Sequence, residues 1–365
     1  MAGPRVALLA FDLPGDAPAP TSYALSLARA LDRHGVAVHL FSNVSLDFPR
    51  CVAIATPSGV SGPVATARAL CSTAAAHVDR IGRELGAFDA IHAVQWSSAP
   101  VALGSARRGS CKSVVTFLDT VFSRHGHVNG TPEVAQVRVL EQQAAEGCDT
   151  ILAASEPVRQ EIAWLYGRSA PRQAITPLAP VDVLSERPEA PKSPYQVAFA
   201  GTWDDAGGAD LFIEIARLLA ARATHWRFCL GADTVAAARL ESDLRRRGRA
   251  ELFARFDFTP DAATARQQAS LVVVPARSDG NASAIHAAWA HARPVAVTRS
   301  GPHHDVSAGI DGYIAIPRAP ALAECVERAL SDPPRSRAMG EAGRHKVENN
   351  FTWSAVASKV SAIYR

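Results

Sequence analysis

Residues 271–301 read LVVVPARSDGNASAIHAAWAHARPVAVTRSG. The run ASLVVVPA (269–276) is continuously apolar and too short for a helix, which predicts a strand buried on both faces. Turn-formers follow, then SAIHAAWAHA (283–292), a helix, and PVAVTRS (294–300), a second strand. Strand, helix, strand is the unit of a parallel sheet covered by helices.

The same alternation extends in both directions. Upstream in this half, QVAFAGTW (196–203) and WRFCLGA (226–232) read as strands, with helices at 208–223 and 234–249. Downstream lie a strand at 312–317 and helices at 319–331 and 335–348. The first half repeats the pattern: strands at 5–11, 36–42, 89–95, 113–119 and 150–155, with helices at 21–34, 64–85, 132–147 and 156–167. Between the halves, Pro180, Pro188, Pro191 and Pro194 mark a linker. A chain of 365 residues fits two such domains. The expected division is an N-terminal Rossmann-like domain (1–180), a linker (181–195) and a C-terminal Rossmann-like domain (196–350). A last helix (351–365) is expected to pack back on the first domain. Two doubly wound sheets present a ligand cleft at their strand ends.

Composition excludes several classes. With 48% hydrophobic and 20% charged residues, the chain is globular, and a net charge of +3 speaks against nucleic-acid binding. No apolar run reaches the length of a transmembrane helix, and the N-terminal MAGPRVALLAF reads as a first strand rather than a signal peptide. Six cysteines without a CxxC pair fit reduced thiols and a cytoplasmic protein.

The segment 271–301 also resembles the signature of glycosyltransferase family 4: an apolar strand, P-S-R-x-E-G-F-G, then a helix carrying E-A-M-A-x-G-x-P-V. FAGTWDDAGGADLFIEIARLLA (199–220), FDAIHAVQW (88–96), SVVTFLDTVFSRHG (113–126), ILAASEPVRQEI (151–162) and FTWSAVASKVSAIYR (351–365) resemble further family segments, in order and at matching spacing. The resemblance implies a GT-B fold, two facing Rossmann-like domains. It also implies transfer of a hexose-like sugar from a nucleotide-sugar to an acceptor the sequence does not identify, with retention and without metal or other cofactor. The residues expected at the donor are Gly201, Thr202, Arg277, Gly280, Asn281, Ala282 and Ser283, with Asp279 as the catalytic carboxylate. Free N–H groups of 281–283 at a helix start can meet a diphosphate; Asn281 or Ser283 would equally serve as a plain N-cap. On the acceptor side Asp119, Arg124 and His125 follow a strand end.

The departures from the family are concentrated in its polar site. Thr202 and Gly207 occupy the positions of an Arg and a Lys that clamp the diphosphate, Ala287 that of a second carboxylate, and Leu118 that of a His. Asp204 and Asp205 sit in the same loop and repel a phosphate. Arg299, His303 and His304 are candidate substitutes. The alternative implied by these losses is a non-catalytic relative that supports a partner glycosyltransferase. The basic run Arg245-Arg246-Arg247 with Arg249 reads as a solvated helix end, with peripheral contact to an anionic membrane as its functional alternative.

Overall fold

A computed structural model describes residues 3–14, 20–56, 58–108, 111–125, 130–167, 172–175, 190–231, 234–277 and 282–365, with backbone only for 125, 172–175 and 234–236. The chain divides into two units, 1–179 with 353–365, and 180–352.

The N-terminal unit carries β1 (Arg5–Ala10), β2 (Ala37–Ser42), β3 (Cys51–Ala53), β4 (Ala90–Val94), β5 (Lys112–Phe117), β6 (Thr150–Ala153) and β7 (Arg172–Ile175). They form one parallel sheet in the order β3-β2-β1-β4-β5-β6-β7, with Val6 level with Val38 on one side and Ala90 on the other. Its helices are α1 (Pro20–Arg33), α2 (Pro63–Leu85), α3 (Ala99–Arg108), α4 (Val121–His125), α5 (Pro132–Gly147) and α6 (Glu156–Tyr166). Alternate strand residues feed two cores. Ala7, Leu9, Ile91 and Val115 face one, Val6, Leu8, Ala90 and Val114 the other. The second core is completed by the helix Trp353–Tyr364, through Trp353, Val356, Ala357, Val360 and Tyr364.

The C-terminal unit repeats the plan with β8 (Gln196–Phe199), β9 (Arg227–Gly231), β10 (Phe256–Thr259), β11 (Leu271–Val274), β12 (Val295–Thr298) and β13 (Gly312–Ala315). The order is β10-β9-β8-β11-β12-β13, all parallel. Helices α7 (Ala209–Arg222), α8 (Thr234–Arg246), α9 (Ala262–Gln268), α10 (Ala282–Ala290), α11 (Ala319–Leu330) and α12 (Pro333–Asn350) cover it, and the helix Trp353–Tyr364 is α13. The expected α/β class is observed in both units. Six of these elements had no sequence counterpart, namely β3, α3, α4, β7, β10 and α9. The expected linker falls largely on 181–189, outside the described residues.

Each sheet reverses its winding once. In the N-terminal unit the chain leaves β1 toward β2 and returns on the other side as β4; in the C-terminal unit it does the same between β8 and β11. Open α/β sheets bind ligands at the carboxyl ends of strands flanking such a reversal.

Candidate functional site

At the β8/β11 reversal, backbone segments approach so closely that side chains are excluded. Gly201 follows β8, and a Cβ there would lie 2.7 Å from the Gly207 carbonyl. Gly208 adopts a left-handed φ of 78°, with the Pro275 carbonyl 2.2 Å from where its Cβ would stand. A Cβ on Gly301, after β12, would meet the Ala276 carbonyl at 2.6 Å. These glycines knit three strand ends together.

The loop 202–208 is built by Asp204. Its Oδ1 accepts hydrogen bonds from Gly207 N (2.6 Å) and Thr202 Oγ1 (2.9 Å). These bonds, the first foremost, hold its carboxyl below the usual range. Asp204 thus shapes a turn. Arg277 is equally committed: its guanidinium pairs with both oxygens of Asp210 at 2.7 Å and donates to the Asp205 carbonyl at 2.5 Å. Thr202 is exposed.

Asp279, Gly280 and Asn281 lie outside the described residues. Ala282 and Ser283 form the first turn of α10, Ser283 exposed and Ala282 half-buried. That turn opens at the strand ends of the reversal, where the leading N–H groups and the helix dipole favour an anion. Below it α10 is anchored by Trp289, fully buried, whose indole N–H donates to the Asp311 carbonyl at 2.9 Å. His286 bonds Asp305 at 2.8 Å and stacks on Phe351. Lys346 pairs with Asp311 at 2.7 Å and also holds the Asp305 carbonyl, fixing the loop after β12. Asp305 is thus engaged by His286. Among the described residues no group of three His, Cys, Asp or Glu is placed to hold a metal. Arg299 is exposed next to this loop. In the basic run, Arg245 and Arg246 pair with Glu241 and Asp243 of their own helix.

The N-terminal unit has its own polar cluster at the β1/β4 reversal. Gln95, directly after β4, is buried with a φ of 67°, a left-handed conformation rare for a non-glycine residue. Its amide donates to Asp119 Oδ1 at 2.5 Å, and its carbonyl oxygen accepts from Leu118 N at 3.4 Å. Asp119 pairs with Arg124 at 3.1 Å, and Arg124 reaches Glu141 at 3.2 Å. Glu141, fully buried on α5, accepts Val121 N at 3.0 Å and Tyr166 Oη at 2.5 Å. Asp119 and Arg124 are thus brought together; the side chain of His125 lies outside the described residues. Leu118, at the position matching the family histidine, is packed in the core.

Burial pushes the Glu141 carboxyl up to about 7, against the pull of Tyr166, Val121 and Arg124. An unfolded Glu titrates near 4.3, so the native state binds this proton more tightly. The stabilising contribution is complete below about pH 4.3 and declines until about pH 7, by a few kcal/mol. Glu141→Gln should flatten that segment of the stability–pH curve. Urea titrations at pH 5 and pH 8 test it; an unchanged slope in the variant would refute the assignment.

Among the described residues no helix is long and apolar enough to cross a membrane. Two family models match in succession: Glycosyltransferase Family 4 over residues 21–177, and Glycosyl transferases group 1 over residues 194–332. The chain belongs to glycosyltransferase family 4. Two relatives share its full span. The D-inositol 3-phosphate glycosyltransferase of Frankia alni is 29% identical, covering 96% of this chain and 95% of its own. The enzyme of the same name from Kribbella flavida is 25% identical, covering 96% and 91%. Among solved structures, sucrose-phosphate synthase from Thermosynechococcus elongatus (TM-score 0.70, 19% identity, 99% and 98% covered) has the same fold. So does Anabaena HepE in complex with UDP (TM-score 0.70, 13% identity, 99% of each chain). This glycosyltransferase thus has the GT-B fold of its family.

Proposed function

We propose that the chain transfers a hexose-like sugar from a nucleotide-sugar to a hydroxyl acceptor, retaining configuration at the anomeric carbon. The observation that carries this is the β8/β11 reversal: Gly201, Gly208 and Gly301 clear side chains from the strand ends where α10 begins. A nucleoside diphosphate fits that opening, its phosphates toward the N–H groups of Ala282 and Ser283. Asp279, Gly280 and Asn281, which lie outside the described residues, are proposed as further donor-site residues, with Asp279 as the catalytic carboxylate. In the transfer, the bond from the anomeric carbon to the phosphate oxygen breaks. A bond to the acceptor oxygen forms on the same face, and the acceptor proton passes to the departing phosphate. D-inositol 3-phosphate, from the relatives' names, and UDP, from the HepE complex, are the first acceptor and nucleotide to try.

Charge is the weak point of the donor side. Removing two cations from a leaving diphosphate costs about 3–6 kcal/mol of transition-state stabilisation. Arg299, exposed beside the loop after β12, is proposed to supply part of it. Titration calorimetry with UDP-, GDP- and ADP-sugars is expected to find at least one that binds, followed by transfer or hydrolysis. Absence of binding by every one would end this reading.

The commitment of Arg277 to Asp210 favours a second reading, in which the chain supports an active partner glycosyltransferase without turning over itself. Co-purification of such a partner, whose activity falls on removal of this chain, distinguishes the two. A cytoplasmic location suits both readings.

A further inference from the structure

We infer that the acceptor received by the N-terminal unit is an uncharged polyhydroxy compound, because among the described residues the protein's own side chains occupy helix starts there that a phosphate would take. The inference rests on the transferase reading above. It concerns the carboxyl edge of the N-terminal sheet, around the β1/β4 reversal. A phosphate is ordinarily met at such an edge by helix N-terminal N–H groups and by guanidinium groups.

Among the described residues, groups of both kinds at the starts of α1, α4 and α6 are already engaged. At the start of α1, Thr21 donates both its backbone N–H (2.9 Å) and its hydroxyl to the Asp12 carboxylate. At α4, Val121 N is taken by Glu141, and Thr120 N by Ser123 Oγ at 2.9 Å. At α6, Val158 N goes to Ser155 Oγ, and Arg159 in the first turn is forked onto Glu156. Arg124 lies between Asp119 and Glu141. Three acidic side chains, Asp12, Glu141 and Glu156, therefore occupy the starts of α1, α4 and α6, where a dianion would bind. A phosphate arriving there must displace one of them and face the others across a partly dry site.

Neutral hydroxyls meet no such barrier. Asp119 keeps 17% of its side-chain surface exposed while already bonded to Gln95 and Arg124. That exposed part of the carboxylate is where a substrate O–H is taken to donate. The left-handed backbone of Gln95 holds the amide that orients this carboxylate.

The test is calorimetry on the full chain with inorganic phosphate, D-inositol 3-phosphate and unphosphorylated inositol, using wild type, Arg124→Gln and Asp119→Asn. Phosphate affinities should be the same in wild type and Arg124→Gln. Asp119→Asn, which leaves the guanidinium held by Glu141 alone, should strengthen them by at least about tenfold. Binding of D-inositol 3-phosphate by wild type that Arg124→Gln weakens tenfold or more would overturn the inference. If the variants fail to fold, the wild-type transfer assay decides. The phosphorylated acceptor should be at least about tenfold poorer in kcat/KM than neutral polyols, and the reverse order overturns the inference. Failure of all sugar nucleotides to bind would sink the transferase reading instead; the phosphate titrations need no donor and still read phosphate exclusion.

Discussion

Deleting residues 353–365 is expected to unfold the N-terminal unit while the C-terminal unit keeps its sheet. The helix α13 is last in sequence, yet it belongs to the first unit. Trp353, Val356, Ala357, Val360 and Tyr364 are all buried in the core beneath β1, β4 and α1. Trp353 packs against Tyr23 with ring centroids 5.5 Å apart. At about 1.5–3 kcal/mol for each large apolar side chain, the loss is comparable to the whole stability of an ordinary domain. There is a polar loss too. Tyr364 Oη bonds His92 Nδ1 at 2.5 Å, and Thr116 Oγ1 takes the other ring nitrogen at 2.7 Å. Without α13, a buried imidazole loses one of its two partners. Calorimetry of the truncated chain should show one remaining transition, and limited proteolysis should digest the first half preferentially. Two unchanged transitions would show that α13 is dispensable. The same histidine makes the clasp sensitive to acid. Burial lowers the His92 pKa to about 3, against 6.5 unfolded, so its contribution is present above pH 6.5 and is lost as pH falls toward 3.

The sequence pattern revealed the layers of this fold better than its polar chemistry. Continuous apolar runs such as 271–274 and 295–298 could be little else than buried parallel strands, and both are. Short edge strands carry no such signal: β3 has three residues and β10 reads FDFT, neither long enough for a period to register. The helix α3 was hidden by Pro100 and Gly104, although a proline in the first turn of a helix costs nothing. Glu141 left a readable trace. It stands four and seven residues from Val137 and Val134, on the apolar stripe of its helix, where an unpaired carboxylate would not be tolerated. Gln95 left none, since nothing in a glutamine announces a left-handed backbone. Asp204 was legible as a charge but not as a turn-former, because its role depends on an N–H three residues on that only the folded loop aims at it.

That last difference decides how a repair of the donor site should fail. Comparison with the family places arginine at 202 and lysine at 207, so Thr202→Arg and Gly207→Lys look like equivalent restorations. The loop makes them opposites. Thr202 is exposed, and an arginine there loses only the hydroxyl bond to Asp204, a cost of about 1 kcal/mol. Gly207 is buried, and a Cβ on it would lie 2.1 Å from the Thr202 carbonyl oxygen and 2.6 Å from its backbone nitrogen. Neither atom can move away as a side-chain tip can; the loop itself must open. Opening breaks the Asp204–Gly207 bond, pulls on Gly208 against Pro275, and disturbs the Asp210–Arg277 pair at the start of α7. Gly207→Lys is expected to cost about 2–4 kcal/mol and to weaken sugar-nucleotide binding. Thr202→Arg should preserve or strengthen that binding. Thermal unfolding with calorimetry on both single variants separates the outcomes. A Gly207→Lys protein as stable as wild type, and more active, would mean that the loop can accept the family's lysine and that its closed form is not what governs the donor site. The opposite result would place the missing charge at 202 or beyond β12, where a cation can be added without unmaking the turn.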